Sequence, residues 1–474
     1  MSIEDTISNL VEWATSHGAT LHASVEVYQD AQTGLSFRVK PSAKSAVQPY
    51  ESIVQLPTSL TLSYLNAVSE RATSPEDAFH QELLARARPH VVGRLFLIKE
   101  YLKRDRSFWY PYIQSLPQPG AEHRARWALP PFWPDDEAEL LEGTNAEVGI
   151  DKIREDVRRE LREARELLRE YGGAESAAVY ESLTPELYQW AYCVFSSRSF
   201  RPSLVLSGEQ QRVLPGAVDT DDFSVLLPLL DIGNHDMTAD VRWEVDGDSP
   251  GRCELRVGRT HMPGQQVFNN YGMKTNAELL LGYGFMLPVT KELHNDYTHV
   301  RKRTLATADA AVPPQASEEY LISLRPLSHP SSVLARAKQS LALEPSTTVL
   351  GSFAHVQPEM VWDIFCTLTT PGRRAALMPE PEGASAETYR KDRFFSGKVD
   401  GEARLYLQQT VAIIQHKVLQ ELERLTETDV EVVGGDEEDL TRNQRLALEY
   451  RGRCRDVLEG VLEAMGGDGI FDDE

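Results

Sequence analysis

Strand-like sequence occurs in two separate stretches of this chain, and helix-like sequence fills the space between them. Short apolar or alternating segments punctuated by glycine and proline precede about Leu60 and return between Gly216 and about Leu287. Between them, apolar residues recur at helical spacing over roughly 150 residues. Because two half-modules can bury a shared core only by pairing in space, we expect one β module interrupted by a helical insert, followed by a mostly helical C-terminal region.

The coarse pattern gives bounds for individual elements. Strands are predicted at Leu21–Tyr28, Leu35–Val39 and Ser52–Leu56. Helices are predicted at residues 4–17, Ser63–Ser69, Ala78–Ala87, His90–Arg104, Asp151–Tyr171 and Pro185–Ser196.

Net charge constrains the partners of the chain. Its 474 residues contain 49 Lys and Arg against 72 Asp and Glu, for a formal charge of -23. Direct binding to nucleic acid is disfavoured, because phosphate recognition needs a basic face. An acidic field would attract a basic protein. A second interpretation is that the acidity serves solubility alone.

The cysteines and the N-terminus bear on location. Cys193, Cys253, Cys366 and Cys454 are far apart and form no Cys-x-x-Cys pair, which disfavours a zinc cluster and fits a reducing compartment. The acidic N-terminus lacks signal-peptide character, and no apolar run approaches membrane-spanning length. We expect a cytoplasmic or nuclear protein, or one found in both, without a metal site.

The stretch from Leu226 to Phe285 contains the strongest functional signal. An apolar run ends in Asp231, Asn234 and His235, and a second short apolar segment ends in Tyr271. Polar side chains at the ends of buried segments are typical of a ligand pocket.

These motifs resemble those of the split SET-domain methyltransferases, in the subgroup that includes the plant Rubisco large-subunit lysine methyltransferase and fungal methyltransferases of ribosomal proteins and elongation factors. The resemblance spans most of the chain, with several motifs in the expected order. They are Gly34-Leu-Ser-Phe37, Ser107-Phe-Trp-Tyr-Pro-Tyr112, Ser197-Arg-Ser-Phe200, Asp231-Ile-Gly-Asn-His235, Asn270-Tyr-Gly272, Leu281-Gly-Tyr-Gly-Phe285 and Arg442–Arg451.

The resemblance implies an α+β fold and an activity. The expected parts are the first half of a β-rich SET domain at 1–65, a helical insert at 66–215, the second half at 216–290 and a helical substrate-binding domain at 291–474. The implied activity is S-adenosyl-L-methionine-dependent lysine N-methylation of a non-histone protein. The implied partner is a basic protein of the ribosomal or elongation-factor type, and the chain is expected to be a monomer. Histidine as the methyl acceptor stays open.

The resemblance also assigns roles to particular residues. Tyr271 is the expected catalytic residue, placed beside the transferring methyl and the amine, and it also contacts the cofactor. The expected cofactor-binding residues are Gly34, Leu35, Arg198, Asn234, His235, Tyr271 and Phe285. Tyr283 is expected to line the substrate channel, whereas Asp231 is expected to fix a turn. The alternative for each aromatic residue is an ordinary core position, and for Arg198 it is a plain surface arginine.

Two positions depart from the family pattern. The usual second glycine, two positions after Gly34, is Ser36, and Gly233 stands where an apolar residue is more common. These departures are the sequence support for a second hypothesis, a non-catalytic SET-like module that binds a basic protein. A third hypothesis is a hydrolase that uses Cys193 or a serine with His235, although no nucleophile motif accompanies it.

Overall fold

The described part of the chain divides into two compact units. The computed structural model describes residues 2–68, 78–173, 176–212, 214, 218–245, 251–288, 290, 295–301, 319–334, 343, 347–380, 385–429 and 440–467. The first unit contains Met1–Trp133, Asp151–Lys274 and Gly282–Gly284, and the second contains Pro134–Ile150, Thr275–Leu281 and Phe285–Glu474. The first strand-like stretch, most of the second and most of the helical insert therefore belong to the first unit.

The strands of the first unit are short, and those of the two halves of the sequence pair with each other. They are β1 (Thr20–Leu21), β2 (Val25–Asp30), β3 (Gly34–Val39), β4 (Ser52–Pro57), β5 (Leu62–Ser63), β6 (Ser199–Phe200), β7 (Val225–Leu226), β8 (Val241–Val245), β9 (Arg252–Val257) and β10 (Gln266–Val267). Within the described residues the sheet orders are β1-β4-β9-β8, β10-β3-β2 and β5-β7-β6.

The pairing registers show how the interrupted module is reassembled. Strand β4 pairs antiparallel with β9, with Val54 opposite Leu255. Strand β3 pairs antiparallel with β10, with Phe37 opposite Val267. Val54 and Phe37 are fully buried, so each pairing contributes to the core. The predicted α+β module that is closed across an insert is confirmed.

Helices occupy the insert and the rest of the first unit. They are α1 (Ile3–Ser16), α2 (Gln81–Leu84), α3 (Pro89–Lys103), α4 (Tyr110–Ser115), α5 (Arg124–Trp127), α6 (Asp135–Ala138), α7 (Ala146–Tyr171), α8 (Ala177–Ser182), α9 (Pro185–Arg198), α10 (Gly208–Arg212) and α11 (Asn276–Tyr283). Helix α6, the start of α7 and most of α11 belong to the second unit. Helix α9 begins where the Thr184 side chain accepts a hydrogen bond from the Leu187 amide and Pro185 takes the first helical position.

Several predictions of local structure are wrong in part. The predicted helix at 78–87 is helical only at Gln81–Leu84, and a turn divides the predicted strand at 21–28 into β1 and β2. Ser63–Ser69 was expected to be helical, but Ser63 ends β5 and Tyr64–Ala67 forms a 3-10 turn, while Ser69 lies outside the described residues. Strand character was expected to last to about Leu287, but α11 interrupts it. Thr275 and Glu278 form a reciprocal cap at the start of α11, since each side chain accepts a hydrogen bond from the other's amide at 2.8–3.2 Å.

The second unit is mainly helical and contains a strand pair that the sequence did not predict. Strands β11 (Tyr297–Arg301) and β12 (Glu319–Ser323) are antiparallel. The helices that follow are α12 (Gly351–Ala354), α13 (Pro358–Leu368), α14 (Pro371–Leu377), α15 (Ala386–Phe395), α16 (Gly401–Glu427) and α17 (Arg442–Gly466).

The Arg442–Arg451 motif has a structural explanation in this unit. Arg451 is 4% exposed, and its guanidinium donates to the carbonyl oxygens of Leu140 at 3.2 Å and Leu425 at 2.7 Å. Helix ends leave carbonyl groups without intrahelical partners, and a buried guanidinium can satisfy several of them. Arg451 therefore ties the end of α16 to the segment before α7.

Candidate active site

Three aromatic side chains from the Leu226–Phe285 stretch form a stack in the first unit. The rings of His235 and Tyr271 are 4.9 Å apart between centroids, with 12° between their planes. Tyr283 stacks on Tyr271, with 5.1 Å between centroids and 25° between planes. The structure therefore brings together the residues predicted to bind cofactor, to catalyse and to line the substrate channel.

Backbone pairing creates this stack. The segment around His235 forms a parallel bridge with Asn269, in which the Asn269 amide donates to the Asn234 carbonyl at 2.7 Å. The Asp236 amide donates in turn to the Asn269 carbonyl at 2.9 Å. The Tyr271 amide donates to Nδ1 of His235 at 3.1 Å, so Nδ1 is the unprotonated ring nitrogen. His235 thus orients Tyr271 both by accepting a hydrogen bond from its amide and by stacking on its ring.

The hydroxyl of Tyr271 is held by the main chain. It donates to the Gly233 carbonyl at 2.9 Å. The residue as a whole is partly exposed, whereas its hydroxyl is in a desolvated environment, and this burial raises the pKa of Tyr271 above its usual value against the opposing effect of the Arg198 charge. The phenol is therefore protonated at neutral pH and acts as a hydroxyl group rather than as a phenolate.

Gly233 is explained by the space around it. Its φ is −62°, which any residue can adopt, but a Cβ added there would lie 3.2 Å from the Cβ of Asn269 and 3.7 Å from the Phe37 ring. Packing therefore favours glycine at this departure from the family pattern.

Gly34 is required for a different reason. Its φ is +76°, in the region that favours glycine, and a Cβ there would meet no atom within 4 Å. The backbone at the start of β3 is consequently approachable.

The side chain of Asn234 connects the two halves of the module. Its Nδ2 donates to the Leu35 carbonyl at 3.1 Å and to Oγ of Ser36 at 2.6 Å. Ser36, the second departure from the family pattern, is fully buried. The structure thus places Gly34, Leu35 and Asn234 together, as predicted, and gives Ser36 a side-chain contact that the sequence did not indicate.

Arg198 is at the C-terminal end of α9 and faces a buried carboxylate. One guanidinium nitrogen is 3.5 Å from Oδ2 of Asp231, whose side chain is 2% exposed. The same oxygen accepts a 2.9 Å hydrogen bond from the hydroxyl of Tyr112. Burial raises the pKa of Asp231, and the Arg198 charge and the Tyr112 hydrogen bond oppose that rise. Asp231 therefore does more than fix a turn, because it positions Arg198.

The turn that presents Asp231 is strained. Leu229 is fully buried with φ +71°, which is unusual for a branched side chain. It precedes the 3-10 turn Leu230–Ile232, and Pro228 prevents the preceding strand β7 from continuing. The apolar run before Asp231 is therefore a two-residue strand and a tight turn.

Sequence reasoning missed the contribution of Tyr112. This residue comes from α4 in the helical insert, is fully buried, and supports Asp231 from a position 119 residues earlier in the chain. The Ser107–Tyr112 motif was the available signal.

Phe285 belongs to the second unit and is partly exposed, so its contact with adenine stays a prediction. The Cys193 thiol is almost fully buried, and burial raises its pKa to about 12, which argues against its use as a nucleophile. Among the described residues, no group of three or more His, Cys, Asp and Glu side chains is placed to hold a metal ion. No helix in the described ranges has both the length and the apolar character needed to cross a membrane.

Comparison with solved structures decides the fold. The crystal structure of the SET domain of LSMT bound to lysine and AdoHcy superposes with a TM-score of 0.61, covering 98% of this chain and 92% of that chain at 17% identity. The chain has the split SET-domain fold. This confirms the resemblance seen in the sequence motifs, whereas the predicted insert at 66–215 stays a prediction.

Curated relatives of this SET-fold chain are protein methyltransferases. The ribosomal lysine N-methyltransferase set10 of Schizosaccharomyces pombe is 29% identical over 283 residues, covering 60% of this chain and 46% of the relative. The protein-lysine N-methyltransferase EFM1 of Saccharomyces cerevisiae is 25% identical, with coverage of 60% and 50%. The actin-histidine N-methyltransferase of Homo sapiens is 24% identical, with coverage of 60% and 42%.

Each of these matches covers only part of this chain and only part of the relative. The matched regions span about half the length of the curated relatives. No protein-family model matches the chain.

Proposed function

We propose that this chain is an S-adenosylmethionine-dependent protein-lysine N-methyltransferase acting on a non-histone protein. The observation that supports it most directly is the placement of Tyr271 within a SET fold. Its ring is held between His235 and Tyr283, and its hydroxyl is fixed on the Gly233 carbonyl. A tyrosine restrained at three points has little freedom left to lose when a substrate binds, which is the property that a positioning group in catalysis needs.

The residues around Tyr271 fit S-adenosylmethionine. Arg198 offers a guanidinium that can pair with a carboxylate. Asn234 offers its Oδ1 as an acceptor for an ammonium group, since its Nδ2 already donates to Leu35 and Ser36. The main chain at Gly34 is approachable. When bound, S-adenosylmethionine supplies an electrophilic methyl group on a sulfonium centre.

The protonated state of Tyr271 limits what it does in the reaction. Because its pKa is raised, it is not an anionic base at neutral pH. Its single hydroxyl hydrogen is donated to Gly233, which leaves the oxygen lone pairs to accept from an amine. Its proposed role is to hold a neutral lysine amine in line, while the aromatic stack limits access by water.

The target protein is also a proposal. A basic target of the ribosomal or elongation-factor type is favoured by the charge of -23 and by the relative named for ribosomal lysine methylation. We further propose that the helical region after residue 290 binds this target and that the chain acts as a monomer. A cytoplasmic or nuclear location is kept in the proposal, because all four cysteines are free thiols.

Histidine as the acceptor is the second candidate. It is supported by the similarity to the actin-histidine N-methyltransferase, although that relative is less similar than the two lysine methyltransferases. The aromatic stack can accommodate a flat ring as well as an aliphatic chain, so the distinction depends on chemical identification of the modified residue.

The non-catalytic alternative has lost support. Ser36 and Gly233 were its sequence basis, but the Ser36 side chain contacts Asn234 in the site, and close packing against Asn269 explains the glycine at 233. A degenerate site would not be expected to retain such contacts at the altered positions.

The test has two steps. Titration calorimetry of the purified chain with S-adenosylmethionine should give saturable binding. Incubation with methyl-labelled cofactor and a ribosomal fraction, followed by mass spectrometry, should then give methylated lysine. Absence of cofactor binding would reject the enzyme hypothesis, whereas label on histidine would select the second candidate. Capture of a basic protein without cofactor binding would support the non-catalytic module.

A further inference from the structure

Ser36 makes a contact that the glycine common at this position in the family cannot make. Its Oγ accepts from Nδ2 of Asn234 at 2.6 Å, across 198 positions of sequence. Its side chain is fully buried in β3. The φ angle of Ser36 is not positive, so the backbone at this position does not require glycine. The serine therefore fits its strand and adds a polar contact to the site.

The Leu35 carbonyl determines which end of the Asn234 amide faces the sheet, and Ser36 adds a second acceptor for the same amide nitrogen. The Leu35 carbonyl oxygen can only accept, so the amide nitrogen and not the amide oxygen must point toward β3. Ser36 has one hydroxyl hydrogen, which it donates either to the Gly34 carbonyl at 3.2 Å or to Oγ1 of Thr33 at 3.0 Å, and in both cases its lone pairs are left for Asn234. With both hydrogens of Nδ2 engaged, Oδ1 is directed away from the strand.

A second hydroxyl supports this arrangement. Oγ1 of Thr33 is 3.0 Å from Oγ of Ser36, and it donates to Oδ1 of Asp30 at 3.0 Å. Because the Asp30 carboxylate can only accept, Thr33 must donate to it and can only accept from Ser36. Linked hydrogen bonds of this kind restrict the rotation of each hydroxyl group. Ser36 is thus held at a fixed rotamer when it meets Asn234.

We propose that Ser36 is a positioning residue that, together with the Leu35 carbonyl, holds the rotamer of Asn234, so that the amide oxygen faces a ligand that carries an ammonium group. The inference rests on the proposed function, in which that ligand is the amino-acid end of S-adenosylmethionine. The chain reaches this orientation with a serine hydroxyl where its relatives are expected to rely on the backbone carbonyl alone.

The test is a double-mutant cycle on cofactor affinity measured by calorimetry. Ser36→Ala should weaken S-adenosylmethionine binding about 3–10-fold, the effect of one hydrogen bond. In an Asn234→Ala background, the same substitution should change affinity by less than about twofold, because the group it positions is gone. Ser52→Ala, which removes a serine hydroxyl from β4, is the matched control and should leave affinity unchanged.

The outcomes separate this inference from the proposed function. If the wild-type chain binds no S-adenosylmethionine, the proposed function fails. If the wild-type chain binds and Ser36→Ala binds equally well, or weakens binding equally in both backgrounds, the positioning role is overturned. Should Ser36→Ala not fold, Ser36→Cys retains the shape with a weaker acceptor. An affinity between those of wild type and Asn234→Ala would then support the role, and wild-type affinity would overturn it.

Discussion

Tyr271 donates its hydroxyl hydrogen to the backbone carbonyl of Gly233, with 2.9 Å between the two oxygens. The acceptor belongs to the segment that also provides Asn234 and His235, so one short turn organises both the proposed catalytic residue and the proposed cofactor contacts. Because the acceptor is a main-chain atom, the bond depends on the course of the backbone at residue 233 and not on the identity of a side chain.

Removing this hydroxyl should separate binding from turnover. Tyr271→Phe keeps the ring stack with His235 and Tyr283 but loses the hydrogen bond to Gly233. We expect kcat to fall by about 100-fold or more, the usual range for a positioned proton-donor or acceptor group, with cofactor affinity changed by less than about threefold. Steady-state kinetics and calorimetry on the same preparation measure both. Tyr64→Phe, at a buried tyrosine elsewhere in the first unit, is the control, and equal losses in the two variants would contradict the assignment.

Gly233→Ala tests the packing explanation for that glycine. The new Cβ would lie 3.2 Å from the Cβ of Asn269, so either the backbone at Asn269 or the turn that ends at Gly233 must move. We expect destabilisation of about 1–3 kcal/mol together with a loss of activity, because displacement of the Gly233 carbonyl disturbs Tyr271. Gly208→Ala is the control, since its Cβ would approach nothing closer than 3.9 Å. Thermal unfolding and activity assays compare the Gly233→Ala and Gly208→Ala variants. A stable and fully active Gly233→Ala variant would refute the packing explanation.

Arg198 should be essential for cofactor affinity under the proposed function. Arg198→Met removes the only cationic side chain that contacts Asp231 among the described residues. It also removes the group proposed to pair with the carboxylate of the cofactor. We expect S-adenosylmethionine binding to weaken by about 10-fold or more, and Arg198→Lys to be intermediate, because lysine keeps the charge without the planar fork. Arg201→Met, at an exposed arginine three residues later, should bind normally. Calorimetry that gives equal affinities for wild type and Arg198→Met would exclude this role.

Glu160 should make the stability of the first unit depend on pH. Burial pushes the pKa of Glu160 upward, but the hydrogen bond with His90 and the charges of Arg94 and Arg88 outweigh burial and lower the pKa to about 2. A depressed folded-state pKa gives stability that is complete above the unfolded value of 4.5 and is lost as the pH falls toward 2.

Substitution of Glu160 provides the measurement. Glu160→Gln should lower the apparent Tm at pH 7 by about 5–10 °C, from about 3 kcal/mol of lost interaction. The gap from wild type should narrow as the pH falls below about 4.5. Glu163→Gln removes an exposed carboxylate that pairs with Arg88 at 2.9 Å, and it should shift the Tm by no more than about 2 °C. A gap between wild type and Glu160→Gln that stays constant from pH 7 to pH 3 would contradict the assignment.

Particular residues show how far the sequence could predict this protein. The sequence correctly predicted that polar residues at the ends of apolar segments would meet, namely Asn234, His235 and Tyr271. Polar groups at the ends of short buried segments are typical of a ligand pocket. The capping pair Thr275 and Glu278 was a readable helix signal, although the strand pattern around it obscured α11. The Ser107–Tyr112 motif indicated that the insert belonged to the fold, but it did not indicate that Tyr112 would support Asp231.

Sequence by itself determined the elements of this protein, their order along the chain and the chemical groups at their ends, because hydrophobic periodicity, caps and turn residues act over a few positions. Only the tertiary structure decided which partner each group meets. The contacts of Asn234 with Ser36, of Tyr112 with Asp231 and of Tyr271 with Gly233 join positions 198, 119 and 38 residues apart. Such contacts depend on the register of β3 with β10 and on the strained turn at Leu229, and long-range pairing of this kind leaves no local pattern in the sequence.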